Sequence, residues 1–535
     1  MSTRHPTTTT HPRFPETGNG PYRLFRGVNQ KLVDRWHFTL DNPVDAQQQR
    51  LRAILRQAVG TAFGDAHGLT GAEDLTAWRR KVPVCTYDDL GPWMERVHAG
   101  EANVLTRQPV TGLLKTSGTT GAAKLLPLTE AYIEEVQQGQ TLWRLGLMRD
   151  HEGVTRGSAL TVVSPAVDGT LPSGLAFGNN TGRMQKAQPW YVKLRYAVPD
   201  WVFGIQDPDA RIYALLRFAL QSQVTSITTA NPSTLLLLAR KLLEFREPLS
   251  EDLRRGEMCR GPFATWRLPR RIRWRLRKAD VPTDWRPARI WPLETVNCWK
   301  GGPASFFLEK LPEAFGGPVT VREVGITASE GYFAVPMGDG DEGGVAWLGG
   351  HLLEFVGDDG LPRWAWELNE GEQVRLIVST SGGLYRYDLN DILEVTGHVG
   401  QVPILRFVRK GGNMLNVTGE KLTEDQLIRA GRRLGAVTGF TAHYRMDEVP
   451  TLLIAIEGAP ECSPAELDDA LCACNIEYAS KRETGRLAQL EFVELTDGAY
   501  ARYRNARVAE GASAGQVKDL VVAVTDDQWS RLLRR

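Results

Sequence analysis

The sequence is poor in the features that mark disulfide-rich, metal-binding or membrane-spanning proteins. Only 6 of its 535 residues are cysteines, and none of them forms a CxxC pair. Cys472 and Cys474 stand closest together, as CxC, so we predict reduced structural thiols rather than a metal site. No run of 18 apolar residues occurs, and no apolar segment follows the first residues. These absences predict a cytoplasmic protein without a secretory signal or a membrane span.

The charge balance also gives no indication that the protein binds nucleic acid or a membrane. Lys and Arg total 64 against 63 Asp and Glu, a formal net charge of +1. Such a balance gives no global attraction to nucleic acid or to a membrane, and we predict neither partner. One segment, Arg254–Lys278, is strongly basic. We interpret it as a solvated helix face, with recognition of an anionic substrate or of a carrier protein as the alternative.

The pattern along the chain predicts an α/β protein of two domains. We expect a disordered N-terminal arm over residues 1–19, which are rich in Thr and Pro. Strand-like and helical segments then alternate, which predicts mixed and parallel sheets with a helical shell. After Gly331 the strands become shorter, as in an antiparallel β subdomain. A charged, glycine-bearing junction then separates a large domain of residues 20–409 from a smaller α+β domain of residues 410–535.

One segment is suited to holding phosphate. Residues 116–124 read TSGTTGAAK, between a predicted strand and a predicted helix. Glycines permit close approach of the backbone to a ligand, successive N–H groups form an anion-binding nest, and hydroxyls and a lysine add donors and charge. The GxxxxGK[ST] spacing of a Walker loop is absent. We predict phosphate binding rather than a surface turn, by Ser117, Gly118, Thr119, Thr120, Gly121 and Lys124.

That loop resembles the phosphate loop of the adenylate-forming enzymes, and five further segments narrow the resemblance to the GH3 acyl acid amido synthetases. They occur in the order of that family and span most of the chain. The segments are WKGG at 299–302, VGITASEG at 324–331, GLYRYDLND at 383–391, LNVTGEKLTE at 415–424 and GQVK at 515–518. The resemblance implies the adenylate-forming fold, in which the smaller domain is a mobile lid that rotates about the junction Arg409–Asn413.

The resemblance also implies roles for single residues. Glu330 is expected to bind Mg²⁺, since Mg²⁺ takes one or two carboxylates together with substrate phosphates. Asp391 is expected to accept hydrogen bonds from both ribose hydroxyls with its two oxygens. Lys518 and Lys124 are expected to stabilise the charge of the phosphates. Further nucleotide contacts are predicted at Gly301, Gly302, Ser329 and Arg409.

Two positions depart from the family pattern, and the acyl pocket is less sharply indicated. Ile326 stands where the family often has Tyr, so adenine is expected to pack on another ring or on aliphatic groups. Asn390 stands where the family has Gly, and Asn tolerates a positive φ. Candidates for substrate contact are Trp143, Arg144, Ser164, Phe177, Trp299 and Tyr332.

Together these features predict a ligase that uses ATP and Mg²⁺. A carboxylic acid and ATP would give an acyl-adenylate and pyrophosphate. An amine, such as an amino acid, would then attack to give an amide and AMP. Two alternatives stay open: acyl transfer to CoA or to a carrier-protein thiol, and a non-catalytic nucleotide sensor.

Overall fold

The computed structural model describes residues 12–116, 124–205, 207–258, 275–301, 305–357, 359–411, 414–435, 437–509 and 520–534. The chain divides into two compact units. The first runs up to Arg409, apart from the short segment 117–124, and the second begins at Lys410.

The first unit opens with a group of helices that packs against its main core. Their bounds are α1 (Gly20–Val28), α2 (Gln30–Asp41), α3 (Pro43–Ala58), α4 (Ala62–Ala66), α5 (Leu75–Lys81) and α6 (Gly91–His98). Within residues 1–19, for which a disordered arm is predicted, Pro12 and Phe14 contact these helices. Phe14 is 1% exposed, and the Trp36 indole N–H donates to the Pro12 carbonyl over 2.6 Å. Residues 1–11 lie outside the described residues.

A small sheet carries the strand that leads into the predicted phosphate loop. Its order is β2–β1–β5–β4, and β1 and β5 run parallel. The bounds are β1 (Gly112–Thr116), β2 (Lys124–Leu128), β4 (Gly169–Thr170) and β5 (Ala176–Asn179). The helix that follows β2 is α7 (Glu130–Asp150), which begins where the Thr129 hydroxyl accepts from the Tyr132 N–H. Such a cap satisfies a donor that the first helical turn leaves open.

A fully parallel sheet forms the second layer, in the order β3–β6–β7–β8. Its strands are β3 (Ser158–Thr161), β6 (Val224–Thr228), β7 (Thr295–Cys298) and β8 (Val321–Glu323). The Asn231 side chain accepts from the Ser233 N–H at the start of α11. The helices in this part of the chain are α8 (Asn180–Lys186), α9 (Trp190–Lys193), α10 (Pro208–Leu220), α11 (Pro232–Glu244), α12 (Arg246–Arg255), α13 (Pro287–Ile290), α14 (Ser305–Leu308) and α15 (Leu311–Phe315).

An antiparallel sheet completes the first unit, as the shorter strand rhythm predicts. Its order is β13–β12–β14–β15–β16–β11–β10–β9. The bounds are β9 (Ile326–Ala328), β10 (Gly331–Val335), β11 (Gly343–Ala346), β12 (Leu352–Val356), β13 (Pro362–Arg363), β14 (Gln373–Ser379), β15 (Tyr387–Val399) and β16 (Val402–Lys410).

The second unit is a small α+β structure with a core of its own. A three-stranded sheet in the order β19–β20–β21 packs with helices, and a short pair, β17–β18, precedes it. The strands are β17 (Met414–Leu415), β18 (Leu422–Thr423), β19 (Gly439–Arg445), β20 (Thr451–Glu457) and β21 (Ala488–Glu494). The helices are α16 (Glu424–Gly431), α17 (Pro464–Cys474), α18 (Ile476–Glu483), α19 (Ala499–Ala509) and α20 (Asp526–Leu533).

The predicted fold class is confirmed: the chain is α/β, with parallel and antiparallel sheets in a large unit and a smaller α+β unit. Across the part of the chain that the structure describes, none of the helices combines the length and apolar character needed to cross a bilayer. Most of the basic segment 254–278 lies outside the described residues.

Candidate active site

The parallel sheet gathers several predicted residues at one edge. In open parallel sheets ligands bind outside the carboxyl ends of the strands. Here Ser164 follows β3, while Trp299 and Gly301 follow β7. The Trp299 N–H donates to the carbonyl of Ala230, which follows β6, over 2.9 Å. The segment with Glu330 begins directly after β8, so Ser164, Trp299, Gly301 and the start of that segment share this edge.

Glu330 lies in a tight turn whose main chain is fixed. Ala328 pairs with Gly331 across β9 and β10, so Ser329 and Glu330 form a two-residue connection. Only 9% of Glu330 is exposed. The buried Tyr132 hydroxyl on α7 donates to the Ser329 carbonyl over 2.6 Å. A buried carboxylate in a fixed turn is the hard oxygen donor that Mg²⁺ accepts beside phosphate oxygens.

Helix α7 supports this whole region through one face. Tyr132, Glu135, Gly139 and Trp143 recur at helical spacing on its buried side. Gly139 leaves room for the ring of Tyr332, because a Cβ there would come within 2.5 Å of it. The Trp143 indole N–H donates to the main-chain carbonyl of the last residue of β8 over 2.8 Å. Of these four residues, only Trp143 is among the candidates predicted from the sequence.

Glu323 joins the segments that leave β7 and β8. Its carboxylate accepts the Lys300 N–H over 2.6 Å and the Gly325 N–H over 3.0 Å. Only 2% of Glu323 is exposed, and burial raises the pKa of its carboxyl to about 7 despite these donors. Glu323 therefore fixes the main chain that leads to Gly301 on one side and to Ile326 on the other. Glu323 is not predicted from the sequence, because a glutamate inside a short strand gives no motif.

Asp391 lies on an irregularity of β15 that the sequence anticipated. Arg375 pairs with Ile392 and Ile377 with Asp388, so three residues of β15 oppose one residue of β14. Asn390 within this bulge has φ +57°, the left-handed conformation that was expected where the family has Gly. Asp391 is 6% exposed. Bulges commonly re-aim side chains next to active sites.

The segments of Glu330 and Asp391 lie close to each other. Burial raises the pKa of the Tyr387 phenol, and the Glu330 carboxylate raises it further, so Tyr387 lies within electrostatic reach of Glu330. A Cβ on Gly382 would lie 3.2 Å from the Cβ of Tyr132, which bonds to Ser329. The first unit therefore brings together two of the motifs on which the resemblance rests.

The acyl candidates separate into buried and accessible residues. Tyr332 is 2% exposed and its hydroxyl donates to the Val324 carbonyl over 2.6 Å, so its ring lies in the core. Trp143 is likewise occupied in the core. Arg144 is half-buried and donates to the Gln188 side chain over 2.7 Å. It also lies beside Tyr196. Burial raises the pKa of the Tyr196 phenol, and the charge of Arg144 offsets part of that rise.

The remaining candidates differ in exposure. Ser164 is exposed, and its N–H donates to the Thr181 hydroxyl over 3.3 Å. Phe177 and Trp299 are half-buried. Lys124 begins β2 and is half-buried. The structure describes only the backbone of Arg409, on β16. The predicted residues that lie outside the described ranges are Ser117, Gly118, Thr119, Thr120, Gly121, Gly302 and Lys518.

The second unit fixes the elements on both sides of residues 510–519, which include Lys518. On one side, the Glu457 carboxylate accepts the Gly498 N–H over 2.7 Å and the Tyr500 N–H over 3.0 Å at the start of α19. On the other side, the Ala442 N–H of β19 donates to the Val521 carbonyl over 2.8 Å. The roles of Lys518 and of the other residues named for the site stay predictions.

Comparison with known proteins defines the class to which this fold and site belong. The GH3 family N-terminal, central and C-terminal domain models match residues 33–320, 359–410 and 424–523. The chain therefore belongs to the GH3 family, and the family predicted from the motifs is confirmed.

Two curated relatives and one solved structure illustrate the likeness. Indole-3-acetic acid-amido synthetase GH3.8 of Oryza sativa subsp. indica is 26% identical over 533 residues, which cover 89% of this chain and 87% of the relative. Jasmonoyl–L-amino acid synthetase JAR6 of Nicotiana attenuata is 23% identical over 549 residues, covering 91% and 92%. The solved structure of GH3.15 acyl acid amido synthetase has a TM-score of 0.65 at 20% identity and covers 94% of this chain and 96% of its own, which shows the shared fold. The predicted enzyme class, an acid–amine ligase, agrees with the names of these relatives.

Proposed function

We propose that the protein is an ATP-dependent ligase that joins a small carboxylic acid to an amine, with an amino acid as the preferred class of amine. The observation that supports this most is the proximity of the Glu330 turn to the Asp391 strand within the antiparallel sheet of the first unit. Membership of the GH3 family and the names of the curated relatives support the amide-forming branch.

The first step forms an acyl-adenylate. A carboxylate oxygen of the acid attacks the α-phosphorus of ATP, and the bond to the β-phosphate oxygen breaks with release of pyrophosphate. Glu330 would hold Mg²⁺, which neutralises phosphate charge when bound. Asp391 would accept from the ribose hydroxyls with its two oxygens. Lys124, Lys518 and the N–H groups of residues 117–121 would stabilise the negative charge that accumulates.

The second step forms the amide. The nitrogen lone pair of a neutral amine attacks the acyl carbon, AMP leaves with the electron pair of the broken C–O bond, and the amine loses a proton. No covalent enzyme intermediate is required. We assign Arg144 to the acyl acid in preference to Trp143. Its guanidinium is partly accessible beside Gln188 and Tyr196, whereas the Trp143 indole is occupied in the core.

The first experiment is carboxylate-dependent ATP–pyrophosphate exchange with a panel of aromatic and aliphatic acids. We expect exchange with at least one acid, and its loss in Glu330→Gln but not in Glu313→Gln, a matched change of an exposed glutamate. Tight ATP binding without exchange for every acid would support the nucleotide sensor and overturn the ligase.

The second experiment identifies the acceptor. With the best acid, amino acids and small amines are compared with CoA and with a carrier-protein thiol, and the products are identified by mass spectrometry. Amide and AMP in stoichiometric amounts are expected. Product with a thiol alone would overturn the amide synthetase and leave the adenylation step intact.

A further inference from the structure

The main chain on both sides of Glu330 is held by side chains that belong to none of the recognised motifs. On the first side, the Tyr132 hydroxyl donates to the carbonyl of Ser329, the residue before Glu330, over 2.6 Å. Tyr132 is 2% exposed, so this carbonyl is the partner that keeps its buried hydroxyl satisfied. The bond therefore fixes the peptide that leads into Glu330.

On the second side, two buried side chains in contact, His351 and Glu135, hold the main chain of Tyr332, two positions after Glu330; we call this pair the relay. His351 Nε2 accepts the Tyr332 N–H over 3.2 Å. His351 Nδ1 lies 3.1 Å from Glu135 Oε2. A ring whose Nε2 accepts carries its proton on Nδ1, so the Glu135 carboxylate stabilises the tautomer that the Tyr332 N–H requires. Arg50 pairs with Glu135 and compensates its buried charge.

Glu135 also links the relay to the strand segment of Asp391. Its two carboxylate oxygens accept the Ser381 N–H, each over 3.3 Å. Ser381 lies two residues before the GLYRYDLND segment. Tyr132 and Glu135 are three residues apart on α7, so one helical face reaches both segments.

We propose that Tyr132 and His351 are positioning residues for Glu330, with Glu135 acting through His351. They fix the direction of the Glu330 carboxylate by fixing the main chain of its two-residue turn. Groups that bind metal or substrate need such support to hold a productive geometry. This inference rests on the proposed function of Glu330 as the Mg²⁺-binding carboxylate.

The test is a double-mutant cycle on ATP binding. Affinity for ATP is measured by equilibrium titration with Mg²⁺ and again with EDTA, for wild type, Tyr132→Phe, Glu330→Gln and the double variant. We expect Tyr132→Phe to weaken binding roughly 2- to 10-fold with Mg²⁺, the range that one hydrogen bond spans, and to leave binding in EDTA unchanged. In the Glu330→Gln background the same change is expected to have no further effect.

A purely structural role predicts a different pattern. Equal weakening with and without Mg²⁺, or additive effects in the double variant, would overturn the inference. Tyr213→Phe is the matched control, because it also removes a buried hydroxyl, one that donates to Asp252 over 2.8 Å. It should lower stability and leave the effect of Mg²⁺ unchanged.

Failure of the proposed metal role gives a distinct result. If Glu330→Gln keeps the full effect of Mg²⁺ on ATP affinity, Glu330 is not the metal ligand and the proposed function must be revised. If Tyr132→Phe does not fold, His351 supplies the test. His351→Gln retains an acceptor and a donor and should keep more of the Mg²⁺ effect than His351→Leu, whereas equal loss in both would overturn the relay.

Discussion

Replacement of Glu323 by Gln tests how the segments after β7 and β8 are held. The carboxylate is buried and accepts the N–H groups of Lys300 and Gly325. Glutamine has the same shape but presents one oxygen and one NH₂ group. One of the two N–H donors therefore loses its acceptor, at a cost of about 1–3 kcal/mol that does not depend on pH.

The pH-dependent contribution follows from the raised pKa of Glu323. Its carboxyl titrates at about 7 in the folded protein against 4.5 as the ordinary value. Between these values the folded protein holds a proton that the unfolded chain has lost, so its stability falls as the pH rises from 4.5 to about 7. At 1.36 kcal/mol per pKa unit the loss comes to about 3 kcal/mol, and Glu323→Gln should remove it.

The assay is urea unfolding at several pH values between 5 and 8, followed by tryptophan fluorescence. Of the 15 tryptophans only Trp529 lies beyond Arg409, so the signal reports mainly on the first unit. We expect the stability of Glu323→Gln relative to wild type to rise by about 2.5 kcal/mol across this range, because part of the wild-type loss occurs below pH 5. The exposed variant Glu313→Gln should show no such rise. A constant difference at every pH would refute the assignment of a buried titrating carboxylate.

Three further predictions concern the turns and cations of the site. Asn390→Val should destabilise the protein by about 1–2 kcal/mol in urea unfolding and raise the KM for ATP, because a β-branched residue would have to adopt φ +57°. Asn390→Gly should preserve both the stability and the KM. Glu135→Gln should lower the free energy of unfolding by about 3–5 kcal/mol, because it leaves the charge of Arg50 buried without compensation; a loss below 1 kcal/mol would contradict that account. Lys518→Ala should slow pyrophosphate exchange by roughly 10²-fold with unchanged circular dichroism, whereas the exposed-surface change Lys31→Ala should leave the rate unchanged.

Much of the fold followed from local patterns. The β-branched run at 223–229 predicts a strand and the capping residue Asn231 predicts a helix start, and the structure has β6 at Val224–Thr228 and the start of α11 at Pro232. The positive φ of Asn390 followed from one substitution in a motif. Such features are encoded by neighbouring residues, and a sequence therefore displays them directly.

The supports of the site were not predictable in the same way. Glu135 bonds to residues more than 200 positions away, and nothing in the local pattern around it indicates those partners. Trp143 and Arg144 illustrate a second difficulty. Adjacent helical residues point about 100° apart, so an error of one position exchanges a core residue for an accessible cation. Only the packing of α7 distinguishes the two.

Two neighbouring faces of helix α7 consequently make different kinds of contact. Its buried face fixes the main chain around the Glu330 turn and the strand segment of Asp391, through Tyr132 and Glu135. The adjacent face presents Arg144 beside Gln188. Because the buried face bonds to main-chain atoms, the motif side chains can hold their directions while the residues around Arg144 vary. We therefore expect changes of acid preference to come from the neighbours of Arg144, and losses of ATP affinity from the buried face.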